Sequence, residues 1–240
     1  MDNEQGVYPS GIRQNGFYNY YADISMENYY EAKECLQQLQ EIDPLIRDYH
    51  PVERKLQRRV VTSVVFSAMC IESFLNDYAA ACLGDKEFYD SFDMLSPEGK
   101  FTLICSFILK HKVDKSQLYY CRLKELIKAR NEFVHNKSKE QFFEQSLAVP
   151  EDETDELEEK LLVESLIKYA EHTYQECQKD VVMARNGIEA IKEIALLFDR
   201  LDPAAYAISR VFRPNYMLGR FINCPHPIDK VLREFKIGMN

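Results

Sequence analysis

The sequence predicts an all-α protein, an up-and-down bundle of four to five main helices with an irregular N-terminal arm and a C-terminal extension. Three observations carry that expectation. Gly (8) and Pro (9) are scarce in 240 residues, so little of the chain is punctuated by turns. Leu, Glu, Lys, Ala and Gln sit in long uninterrupted runs, the composition of helices. No alternating strand pattern of useful length competes with the helical periodicity. A chain of this length buries a sizeable core, and we expect one domain with extensions: an arm at 1–22, the bundle at 23–200 and an extension at 201–240 that packs on the bundle or on a partner.

The elements follow in order. Residues 1–22 hold three of the eight glycines and a Tyr-rich knot, which reads as an irregular arm held down by aromatics. A first helix is expected from about Ser25 to Ile42, ended by Asp43-Pro44, with a further turn or two before His50-Pro51. The second, in "VERKLQRRVVTSVVFSAMCIESFLNDYAAACLG", carries Val61, Val65, Ala68, Leu75 and Ala79 at alternating three- and four-residue spacing and stops at Gly84. Ser96 as cap and Pro97 in the first turn start a third helix through "FTLICSFIL" to about Lys110. A fourth spans about Gln117 to Lys137. After a loop through Pro150, a fifth runs from about Thr154 to Asp202, either as one very long helix or as two joined near Arg185–Gly187. Its acidic first turn suits the helix dipole. The proline-bearing tail from Pro203 is expected to form a short helix with extended wrapping.

The formal net charge of -9 counts against a phosphate-bearing partner. Its distribution softens that conclusion. Seven of the 39 acids lie in "EDETDELEE", residues 151–159, which leaves 32 acids against 30 bases elsewhere. Such a run reads as a solvated loop and helix start. The seven cysteines form no CxxC pair and mostly fall within apolar helical runs, the pattern of reduced, buried thiols in a cytoplasmic protein. No unbroken stretch of 18 apolar residues is present and the first residues are polar and acidic, so neither membrane insertion nor export is expected.

One stretch breaks its own pattern. In "LKELIKARNEFVHNK", residues 123–137, apolar residues recur at Leu123, Leu126, Ile127, Phe133 and Val134, yet Arg130 stands on the stripe. Asn131 and His135 follow; four apart on a continuous helix, they share a face, so the amide can orient the imidazole. The stripe 61, 65, 68, 72, 75, 79 of the second helix has the same fault at Glu72. A carboxylate or a guanidinium buried alone costs several kcal/mol, so the economical fold brings Glu72 to Arg130. Spacing alone is weak: with 13 arginines and 5 histidines, an Arg followed four to six residues later by His arises about once by chance. Arg220 and His226 in "RFINCPH" are a second match, demoted by the proline and by the Phe after the arginine.

With this context "RNEFVH" resembles the hallmark of the HEPN (higher eukaryote and prokaryote nucleotide-binding) domains: an Arg, a polar residue that is often Asn, and a His four to six residues after the Arg, late in a helical bundle. "FSAMCIESFLNDYAA" is similar to the earlier helix that carries an acid in many members. The resemblance covers roughly residues 25 to 180. It implies a metal-independent endoribonuclease, acting as a homodimer that sets two motifs face to face, with no cofactor. It also implies that Arg130 binds phosphate, His135 does acid-base work, Asn131 orients and Glu72 supports. Lys124, Lys128 and Lys137, with Arg122 and Lys139, offer RNA-phosphate contacts. In a bacterium such proteins resemble toxins or phage-defence effectors that cut RNA, tRNA included, under an antitoxin or another regulatory protein. Three alternatives stand beside it: a non-catalytic nucleotide- or RNA-binding module, a polar cluster that pins the bundle's register, and an interaction scaffold docking through its Tyr-rich ends. No metal-ligand cluster is present, Cys224 and His226 lacking companions.

Overall fold

A computed structural model of the chain describes residues 17–43, 49–135 and 155–202, without the side chains of residues 85, 155–159 and 199. The fold is all-α, with no strand among the described residues. Six helices follow in order: α1 (Tyr18–Glu41), α2 (Tyr49–Leu83), the single turn α3 (Asp85–Glu87), α4 (Pro97–Leu103), α5 (Leu118–Val134) and α6 (Asp155–Leu201). Turns of π-helix at Phe88–Phe92 and Ile104–Ile108 extend α3 and α4.

The Tyr-rich knot is helix rather than irregular arm. α1 begins at Tyr18, so residues 18–22 of the expected arm are its first turns. Tyr18, Ala22, Met26, Tyr29 and Ala32 recur at helical spacing and are all buried. Tyr and Asn are middling helix formers, so burial of this stripe, with Tyr18 edge-on to Phe74 at 6.0 Å, decides the conformation. The rest of the arm, 1–16, and the tail from 203 lie outside the described residues.

Helix α2 includes His50 and Pro51 in its first turn, where a proline costs no hydrogen bond. It ends as expected: Gly84 takes φ 85°, a left-handed conformation that a Cβ disfavours. Its core face includes Ala68, Leu75 and Ala79 of the expected stripe but turns away from it at Val61 and Val65. Leu56, Val60, Val64, Ile71, Phe74 and Tyr78 are buried, whereas Val61 is 37% exposed and Glu72 lies on the half-buried margin. Two neighbours explain the shift. α1 runs antiparallel along one side, where Ser25 Oγ donates to Ser63 O (2.9 Å) and lies 2.6 Å from Ser67 Oγ; α6 runs parallel along the other. Both small polar residues of α2 are thereby satisfied inside the core. An 18-residue window of α2 has mean hydropathy 1.3, long and apolar enough to cross a membrane. Half of that window is buried against the bundle, as in a core helix.

Helix α6 is a single element of 47 residues, which settles the choice left open by the sequence. Its alignment with α2 is held at three levels. Tyr49 Oη donates to Ala170 O at 3.0 Å, Gly187 packs on Ser67, and Tyr78 Oη donates to Asp202 Oδ2 at 2.6 Å. The glycine that suggested a break is instead a contact point: a Cβ there would stand 3.0 Å from Ser67 Oγ and 3.1 Å from Leu126 Cδ1. At the far end Phe198 lies 4.9 Å from Phe74 and 5.0 Å from Tyr78, ring centre to ring centre. The third expected helix is α4 with its π turn, capped by Ser96, whose Oγ accepts from Gly99 N at 3.2 Å. α5 matches its expected start and ends at Val134, three residues short of Lys137.

The six described cysteines are free thiols. Burial pushes Cys105 and Cys177 up from the ordinary value of 9.0 to about 12, and Tyr49 from 10.0 to about 12; it raises Cys70 and Tyr78 as well. Each of these groups holds its proton more tightly folded than unfolded. Stability from this source is therefore full below the unfolded values and is lost as pH rises past them. In urea titrations the unfolding midpoint is expected to stay level up to about pH 8 and to fall steadily from about pH 9 upward. Gly187→Val, which forces a branched side chain between Ser67 and Leu126, is expected to cost about 1–3 kcal/mol in the same titration.

Candidate functional site

Arg130 lies in the last turn but one of α5, directly after the buried Ala129, and its side chain is 22% exposed. The expected meeting with Glu72 occurs. Arg130 Nη2 stands 3.4 Å from Glu72 Oε2, a long hydrogen bond between α5 and α2. The carboxylate is shared with a second cation: Glu72 Oε1 lies 3.7 Å from Nζ of Lys100, on α4. Lys100 is only 2% exposed and donates to Asn76 Oδ1 at 2.9 Å, one helical turn beyond Glu72. A lysine so placed is held by partners rather than by water. One carboxylate thus serves two cations, one from α4 and one from α5. Arg130 Nε is buried without a hydrogen-bond partner.

Lys100 and Asn76 were missed in the sequence, though the signal was there. Pro97, Phe101, Ile104 and Cys105 form the buried stripe of this element, and Lys100 stands on it with the same fault as Arg130. The argument that singled out an arginine on an apolar stripe applies equally to this lysine.

The other members of the motif face outward. Asn131 and His135 are both exposed, and no described hydrogen bond joins their side chains. The expected orientation of the imidazole by the amide is absent for a geometric reason. His135 lies past the helix end at φ -109°, ψ 36°, so the stacking of residues four apart no longer applies; only its backbone N–H reaches Asn131 O, at 2.9 Å.

The bases divide into two groups. Lys124 and Lys128 are exposed and fall on one stripe with Asn131, at spacings of four and three. Lys128 is loosely paired with Glu132 at 3.9 Å. Arg122 is not free for phosphate: Glu189 holds it at 2.5 Å and Glu193 also pairs with it, both from α6. Burial raises the Glu193 carboxyl despite the arginine, whose charge is divided between two acids. Lys137, Lys139 and the pair Arg220 and His226 lie outside the described residues. No protein-family model, characterised protein or solved structure matches this chain.

Glu72→Gln is expected to cost about 1–3 kcal/mol, because it removes the carboxylate from a buried ammonium. The cost should shrink in a Lys100→Met background, where no buried cation is stranded. Equal costs in the two backgrounds, measured by urea unfolding, would refute the shared carboxylate.

Proposed function

We propose that this chain is a metal-independent endoribonuclease of the HEPN type, a homodimer that cuts cytoplasmic RNA, tRNA among its substrates. The observation that carries the reading is the division of labour in "RNEFVH". Arg130 is anchored through Glu72 to the buried Lys100, while Asn131 and His135 stand open to solvent, Asn131 on a stripe with Lys124 and Lys128. A phosphate over Arg130 finds a fixed positive charge. The lysines extend phosphate contact along α5.

The chemistry follows from these groups. An imidazole takes the proton of a ribose 2′-hydroxyl; O2′ forms a bond to the adjacent phosphorus while the bond from phosphorus to O5′ breaks. A protonated imidazole returns a proton to that leaving oxygen. The products are a 2′,3′-cyclic phosphate and a 5′-hydroxyl. Arg130 stabilises the charge that builds on the phosphoryl oxygens, and Asn131 orients the reacting groups. One chain brings one such histidine, so two facing chains supply both the base and the acid. In a bacterium, cutting its own RNA in this way would make the protein a toxin or a phage-defence effector restrained by a protein partner.

The test is cleavage of total RNA and of tRNA in EDTA. Wild type is expected to yield cyclic-phosphate ends, and both Arg130→Ala and His135→Ala to lose at least about a hundredfold in rate. His135 is exposed, so its variant should unfold within about 0.5 kcal/mol of wild type and report on chemistry alone. Binding of RNA or nucleotide without cleavage by folded wild type would replace this reading with that of a non-catalytic binding module.

A further inference from the structure

A pocket of about 400 Å³ opens beside the Arg130 cluster, and Glu72 belongs to both. Its floor is the polar side of α2, where Ser73, Asn76 and Asp77 continue from Glu72. One wall is the start of α1, where Phe17 stacks on Tyr21 with ring centres 6.1 Å apart. The π turn after α2 also lines it, where Phe88 and Tyr89 meet edge to face at 5.3 Å. Single turns of π-helix recur where a side chain is re-aimed toward a site. Here Phe88 is buried and its neighbour Tyr89 is 65% exposed at the rim.

From this geometry we propose that the pocket holds one unpaired nucleobase of the RNA substrate, and prefers a base that carries an exocyclic amino group. Aromatic faces on two walls suit the stacking of a planar base. The size lies at the lower end of the range for small-molecule sites. The lining offers both hydrogen-bonding senses: Asn76 Oδ1 is taken by Lys100, which leaves its amide N–H groups to donate, while the Asp93 carboxylate accepts. An amino group donates to carboxylates. Uracil has no exocyclic amino group and brings only its ring N3–H, flanked by two carbonyl oxygens that a carboxylate repels. Among the described residues no Lys or Arg lines the pocket, so its carboxylates disfavour the phosphate and leave it to Arg130 across Glu72. The arrangement sets the direction of the nucleotide by charge.

The inference takes its substrate class from the ribonuclease reading and is tested separately from it. Equilibrium dialysis of the full chain with adenosine, guanosine, cytidine and uridine, which carry no phosphate, reads the pocket alone. The three amino-bearing nucleosides are expected to bind about tenfold or more tightly than uridine, and Tyr89→Ala to weaken them about tenfold. Met94→Ala, at an exposed residue beyond the lining, is the control and should change nothing. Uridine binding as well as the others overturns the proposal, and so does spermidine binding where nucleosides fail. If wild type cleaves RNA yet binds no nucleoside, the pocket is refuted and the nuclease stands. If nucleosides bind and Tyr89→Ala loses them while wild type never cleaves, the pocket stands and the nuclease falls.

Discussion

The arrangement of the bundle depends on a side chain that is missing. At Gly187 the backbone of α6 comes so close to Ser67 of α2 and Leu126 of α5 that a Cβ would crowd both at 3.0–3.1 Å. Three helices are brought together at this one level. Ser67 cannot give way freely, because it belongs to the buried serine cluster that ties α2 to α1 through Ser25. Leu126 and Arg130 stand four apart on α5. Seating the leucine against Gly187 therefore directs the arginine toward α2, where Glu72 meets it. Packing of apolar groups decides where the charged groups come to rest.

Charge then separates the faces of α5. Arg122 is clamped by Glu189 and Glu193 of α6, and Arg130 by Glu72 of α2, so each arginine ties α5 to a different neighbour. These pairs are partly buried, and a lost partner strands its counterpart, which makes them register pins more than sources of net stability. Between and beyond them, Lys124, Lys128, Asn131 and His135 make no tie to another helix among the described residues. One helix thus carries an inner set of fixed ions and an outer set of available ones.

Much of this was legible in the sequence where a local rule has a single physical cause. Gly84 ends α2 because a left-handed residue is cheapest as glycine, and Ser96 caps α4 because its hydroxyl satisfies a free N–H. The pairing of Glu72 with Arg130 followed from the cost of leaving either alone. What the sequence hid depends on more than one neighbour. The phase of α2 is set jointly by α1 and α6, and so missed the exposure of Val61. Tyr18 begins a helix because Phe74 is there to cover it. Gly187 reads as a break unless one knows that two helices press on it. Arg122 looks like any surface base until α6 brings two acids beside it.

His135 marks the limit of what one chain can arrange. Its backbone has left the helix, so neither the helical rotamer restrictions nor a neighbour four residues back fixes its ring. An imidazole in that position is aligned by whatever docks on it. Arg130, by contrast, is held before any ligand arrives. In the reading proposed above this asymmetry has a purpose: the anion site is preorganised, while the proton-transfer group is completed by substrate and by the facing protomer. An isolated chain would then bind phosphate but cut poorly beside it, since one motif brings only one of the two imidazoles that the step uses. In that reading dimerisation is part of the chemistry rather than an accompaniment to it.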